Sequence, residues 1–284
     1  MRQDKKILFS IYYHNIFEYP LTSEELTHWR PGEKLVKNPK SLQAIIEKDG
    51  LFFFKGKERL IAERKKREKI SKKKIELAKR GAKIISKIPT VKMVGLTGAL
   101  AMTNAKENSD IDLFIITKEK TLWTSRAIAI LLLDILKVPR NAGGRVEKDK
   151  LCLNMWLDEE DLVWDKMDRN FYTAHEIAQI IPLINKDGTY EKFINKNRWI
   201  GDFWPNTAKM LSPKEIRNLN KKQKKNIVFQ YLYGLISNFF EPIAFIFQYL
   251  YMKRKITREI VTRTRAIFHP RDWGKIVLSE LNKL

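Results

Sequence analysis

Residues 91–116 constrain the fold more than any other part of this chain. Val91-Lys92-Met93-Val94-Gly95-Leu96 reads as a short strand, Thr97-Gly98-Ala99 as a tight turn and Leu100 to Ala105 as a short helix. A polar loop, Lys106-Glu107-Asn108-Ser109, then leads into a second strand, Asp110-Ile111-Asp112-Leu113-Phe114-Ile115-Ile116. Side chains alternate along a strand, so Asp110 and Asp112 project from one face, about 7 Å apart. Two carboxylates opening an otherwise apolar strand repel each other and hold their charge beside a hydrophobic core. A divalent cation relieves both costs, and carboxylates together with phosphate oxygens are the ligands Mg²⁺ prefers. Gly98 lets the backbone approach an anion closely, and the amides opening the next helix point at it. Turn and carboxylates together read as a site for a metal-bound triphosphate. The plainer reading, two polar residues that merely open a strand, does not account for the glycine turn and helix before them.

Gly98-Ala99 followed by Ser109-Asp110-Ile111-Asp112-Leu113 resembles the signature of the polymerase-beta-type nucleotidyltransferase superfamily. That signature is a Gly-Ser turn and then Ser-Asp-hydrophobic-Asp on the next strand. The separation of twelve positions between Gly98 and Asp110 is one the family commonly uses. The resemblance implies that Asp110 and Asp112 bind Mg²⁺ and that the turn at Thr97, Gly98 and Ala99 holds the phosphates of an NTP, with Ser109 a supporting contact. An acceptor hydroxyl would then attack the α-phosphorus and expel pyrophosphate. Relatives usually supply a third carboxylate from a later strand. The strand in that place, Lys150 to Leu157, carries Asn154 at its centre, with Asp149 and Asp158 at its flanks. Ala99 also replaces the usual Ser of the turn, and Thr103 stands where many relatives have a second Gly. These departures open an alternative, a catalytically degenerate fold that senses nucleotides or binds nucleic acid.

Before this core, 5–17 has helical periodicity, Pro20 interrupts it, and Thr22-Ser23-Glu24-Glu25 is a capping box opening a helix over 23–29. Residues 40–48 read as a third helix, and Leu51–Phe54 and Arg59–Ile61 as two strands joined at Lys55-Gly56. Three helices and a hairpin resemble a winged helix-turn-helix, used either on DNA or purely for docking. Residues 62–80 hold ten Lys or Arg against three Glu, a basic helix read as a solvated linker or as a phosphate-binding stripe. The net charge of +22 attracts polyanions, although a general lysine bias would give the same excess.

A single cysteine, Cys152, excludes an intramolecular disulfide framework and any multi-cysteine zinc site. No signal peptide is recognisable, and a cytoplasmic protein is expected. The apolar segment 226–252 is broken by Glu241-Pro242 and is expected to form two packed amphipathic helices rather than a membrane span, with a membrane-peripheral anchor as the alternative. His175 and Glu176 lie on a helical run without metal-ligand spacing, so a structural histidine is expected. Ala142-Gly143-Gly144-Arg145 reads as a plain connection, the tryptophans near 199 and 204 as packing, and Pro270 as a helix boundary. The expected architecture is of mixed α+β and α/β class. It comprises a winged-helix-like domain (1–62), a basic linker helix (63–87), a mixed-sheet nucleotidyltransferase core (88–185) and a C-terminal helical region (186–284). Asp110, Asp112 and Asn154 are the expected catalytic positions. NTP is the expected partner, nucleic acid a second one through the winged helix and linker, and integral membrane insertion is not expected.

Overall fold

The computed structural model describes residues 5–32, 44–141, 146–211, 227–254, 256, 259–268 and 272–284. Helix α1 (Lys5–Asn15) stops where Glu18 takes a left-handed conformation (φ 53°) just before Pro20. Helix α2 (Ser23–His28) opens with the expected capping box. The Thr22 hydroxyl accepts from the Glu25 amide at 3.2 Å, and the Glu25 carboxylate accepts from the Thr22 amide at 2.8 Å.

The hairpin lies one element earlier than expected. Ile45–Lys48 is strand β1, not the end of a helix, and it pairs antiparallel with β2 (Leu51–Phe54). Asp49 and Gly50 join them with φ of 54° and 72°, the left-handed pair that a two-residue hairpin demands. Arg59–Ile61, expected as a strand, instead begins α3 (Arg59–Ile85). Residues 40–43 of the expected third helix lie outside the described residues, as do 142–145 and Pro270.

Helix α3 is a spine rather than a solvated linker. Leu60, Ile61, Ala78, Ala82 and Ile85 are buried along it, and so are Arg64, Arg67 and Lys74. Each buried cation is paired, which is the condition for holding charge in an interior. Arg64 grips both oxygens of Glu25 (2.7 and 2.9 Å) and also bonds the Pro20 carbonyl. Arg67 reaches Glu18 (2.7 Å) and the Asn104 side chain (3.1 Å). Lys74 bonds the Ser109 carbonyl (2.7 Å) and Asp149 (2.6 Å). One helix thus ties the N-terminal region to the loops on either side of the acidic pair.

The main sheet is six-stranded and mixed. Its strands are β3 (Val91–Leu96), β4 (Ile111–Thr117), β5 (Leu151–Asp158), β6 (Ile181–Asn185), β7 (Ile260–Val261) and β8 (Arg265–Ile267), in the spatial order β6-β3-β4-β5-β8-β7. Only β4 and β5 run parallel, joined through α5 (Leu122–Ile135) as a parallel crossover requires. The sheet extends beyond residue 185, since β7 and β8 belong to the segment expected to be purely helical.

Alternation along β4 divides the core. Ile111, Leu113 and Ile115 pack towards α3 and α5. Phe114 and Ile116 face α1 and two further helices, α6 (Phe171–Ala178) and α7 (Thr189–Lys196). Short helices α8 (Ile200–Phe203) and α9 (Pro205–Met210) continue this layer, and α11 (Trp273–Leu281) closes it. On the other side, α10 (Ile227–Lys253) runs along α5 as one helix with Pro242 inside it. The expected break does not occur: Pro242 is exposed, so the carbonyl left without an amide donor need not be buried. No helix among the described residues is long and apolar enough to cross a membrane.

His14 and His175 meet in the first layer, with Nε2 atoms 3.3 Å apart, and His175 stacks on Trp29 at 3.9 Å between ring centroids. Because His14 Nδ1 lies 2.8 Å from the Ser10 carbonyl and must donate to it, neutral His14 offers Nε2 as acceptor to the N–H of His175. Burial lowers the pKa of both imidazoles, that of His14 to about 4 and that of His175 well below its ordinary value. The unfolded chain therefore takes up protons near pH 6.5 that the folded chain refuses, and stability drains as pH falls towards about 4. Relative to a His175→Phe variant, the wild type should lose about 1.4 kcal/mol per pH unit across that window. Urea melts over the range test this; a pH-independent difference would contradict it.

Candidate metal and nucleotide site

The acidic pair sits where β4 begins. Asp110 immediately precedes the strand, and Asp112 lies on the face it shares with Phe114 and Ile116. The Asp110 and Asp112 carboxylates and the Cys152 sulfur lie within 4.8 Å of one another, close enough to hold one ion. Burial pushes the Asp112 carboxyl up to about 7, and repulsion from Asp110 adds to the shift. Among oxygen donors, a pair of this kind is suited to a hard cation. Burial and both carboxylates push the Cys152 thiol well up, so it stays protonated and donates weakly to the pair. A neutral thiol adds little to a Mg²⁺ site.

Asn154 follows Cys152 on the same face of β5, beside the pair, and a bulge falls in this stretch. Asp112 pairs with Cys152, but Phe114 pairs with Met155, so β5 carries one extra residue across this step. Asn154 Nδ2 donates to Asp112 Oδ1 at 2.7 Å, while its buried Oδ1 has no partner. The amide therefore does what a third carboxylate would not: it steadies Asp112 with a hydrogen bond instead of repelling it. Asn141 donates to Asp110 at 3.3 Å from the other side. Neither flanking aspartate takes the third place. Asp149 is paired with Lys74, and Asp158, at the far end of β5, accepts from the Lys120 and Glu160 amides.

The turn after β3 closes over the pair. Gly98 has φ 64°, and a Cβ there would lie 2.8 Å from Asp112 Oδ2, so both backbone conformation and space call for glycine. The Thr97 amide bonds the Asp112 carbonyl (3.2 Å), whereas its buried hydroxyl has no partner. The helix expected over 100–105 is only the single turn α4 (Gly98–Ala101), with Ala99 exposed on it. Thr103 ends it by taking φ 53°, a left-handed position that glycine would occupy without strain. Ser109 is not turned to the pair: its hydroxyl donates to the Lys106 carbonyl at 2.8 Å.

Two nearby groups were not singled out by spacing. Glu176, on α6, has its carboxyl pushed up to about 8 by burial and then by Asp112. Its neighbour Tyr172 is also raised, by burial and by the charges of Glu176 and Asp112. The only sequence signal for Glu176 was a polar residue within an apolar helical run, and nothing there pairs it with a strand sixty positions earlier. His175 on the same helix belongs to the aromatic core, as expected of a structural histidine.

The chain matches no protein-family model, no curated protein and no solved structure with which it was compared.

The Gly98→Ala substitution should cost about 1–2 kcal/mol in stability, from the left-handed backbone alone. It should also displace the Asp112 carboxylate, whose Oδ2 is the atom nearest the added methyl group. Thermal unfolding reads the loss; an unchanged melting temperature would contradict the close approach.

Proposed function

We propose that this site holds Mg²⁺ with an NTP and transfers the nucleotidyl group to a hydroxyl acceptor. The carrying observation is the half-buried Asp110/Asp112 pair covered by the Gly98 turn, with two unpartnered buried oxygens, Thr97 Oγ1 and Asn154 Oδ1, in the same segments. Asp110 and Asp112 would hold the ion, which supplies positive charge to the triphosphate and the departing pyrophosphate. Thr97 and Gly98 would orient the phosphates, and Asn154 keeps Asp112 in place. The acceptor oxygen forms a bond to the α-phosphorus as the bond to the pyrophosphate oxygen breaks. The acceptor's proton passes to water.

The face beside the site supports a phosphate-bearing acceptor. A groove of about 740 Å³ runs between α3 and the segments around Glu107 and Asp149, lined by Lys65, Lys66, Lys69, Lys73 and Lys148. Nucleic acid is the polyanion such a track suits. The N-terminal region fits this reading too: Leu21 bridges to Phe52 of the hairpin, adding a third short strand as in a winged helix-turn-helix. Asn154 favours a second reading, a fold that retains Mg²⁺-dependent nucleotide binding without turnover.

Transfer is measured with α-labelled NTPs, Mg²⁺ and short RNA and DNA acceptors. The first reading predicts labelled acceptor and a loss of at least about a hundredfold in Asp112→Asn, the scale of removing one charge-stabilising group from a reaction centre. Undiminished transfer in that variant would refute it, whereas nucleotide binding with no label in any acceptor would establish the second reading.

A further inference from the structure

In this highly charged chain, Glu241 is the sole charged residue between Lys225 and Lys253. It is turned inward. Its carboxylate accepts from the amides of Trp123 (2.6 Å) and Thr124 (2.8 Å) at the start of α5, and from the Thr124 hydroxyl. Gln248 adds a bond to the Trp123 carbonyl (2.8 Å) and accepts from Arg126 (2.6 Å). These contacts decide which face of α10 lies on the protein, and they hold the helix flat along α5.

The opposite face is apolar and open among the described residues. Ile236, Phe239, Ile243, Ile246, Phe247 and Leu250 recur at helical spacing, with Phe239 and Phe247 exposed to 75% and 72%. The stripe runs from Ile236 to Leu250, about 21 Å along the helix, and a contiguous exposed apolar patch of this kind marks an interaction surface. A helix apolar on both faces needs cover on both.

Charge identifies the cover. Lys221, Lys222, Lys224 and Lys225 precede the apolar run and Lys253, Arg254 and Lys255 follow it, in a chain of net charge +22. A second copy would bring +22 against +22. An anionic bilayer takes the apolar stripe into its interfacial zone and the flanking cations among its headgroups. We propose that α10 docks this protein in-plane on anionic lipid surfaces. Its stripe enters the headgroup–acyl boundary, while Glu241 keeps the other face on the globule.

The test is co-sedimentation of the full chain with phosphatidylcholine vesicles, with and without phosphatidylglycerol, alongside sedimentation velocity in the absence of lipid. Wild type should partition onto the phosphatidylglycerol vesicles and stay monomeric in solution. Phe239→Ser/Phe247→Ser should partition at least about tenfold more weakly, as expected from losing two buried aromatic side chains. That variant changes only exposed residues, and circular dichroism verifies its fold. Asp110→Asn/Asp112→Asn should bind vesicles like wild type, which separates docking from the nucleotide site. Equal partitioning of wild type and the phenylalanine variant would show adsorption through lysines alone and overturn the proposal. It is overturned equally by absence of vesicle binding, or by a wild-type dimer that the phenylalanine variant dissolves.

Discussion

Two carboxylates placed side by side at the head of a buried strand are the constraint around which the central part of this molecule is arranged. Left alone, Asp110 and Asp112 would repel each other and resist desolvation. The surrounding residues limit that cost without removing it. Asn154 and Asn141 donate to the pair from two sides, and the Cys152 thiol stays protonated against it. Gly98 lets the preceding turn close to within contact of Asp112. What remains is a carboxyl whose acidity is displaced to about 7, together with buried oxygens that lack partners. A site with these properties is better satisfied by a cation than by protein alone.

The scaffold keeps that arrangement rigid from a distance. Helix α3 spends three buried cations on the segments that frame the pair: Arg64 and Arg67 on the N-terminal turns, Lys74 on the Ser109 carbonyl and on Asp149. Burying a cation is costly unless it is paired and hydrogen-bonded, and each of these is. The remaining lysines of α3 stay at the surface, and Lys65, Lys66, Lys69 and Lys73 among them line the groove beside the Ser109 loop. One helix therefore has two chemically different faces, a structural one built on ion pairs and an outer one of unburied charge.

Much of the core was legible in the sequence because local signals were strong there. The Thr22 capping box, the turn at Gly98 and the two strands around it follow from patterns a few residues long. So does the alternation that puts Asp112 on one face of β4. The errors came where a signal was ambiguous or long-range. Asp49-Gly50 ends a helix or turns a hairpin equally well on sequence alone, and it was strand pairing with Phe52 and Phe54 that decided. Pro242 is tolerated within a helix because its side of α10 is exposed. Asn154 was expected at the site and lies there, but the bulge in β5 beside it leaves no local mark, since it exists only as a mismatch between two paired strands. Glu176 comes within electrostatic reach of Asp112 across the sheet–helix interface, which no spacing rule encodes.

The central claim is that the acidic pair binds a nucleotide through Mg²⁺. Isothermal titration calorimetry of each NTP against the full chain, with Mg²⁺ and with EDTA, tests it most directly when wild type is compared with Asp110→Asn/Asp112→Asn. The account predicts saturable binding that needs both Mg²⁺ and the two carboxylates. Binding that survives EDTA and the double substitution, or no binding by wild type to any NTP, would contradict it.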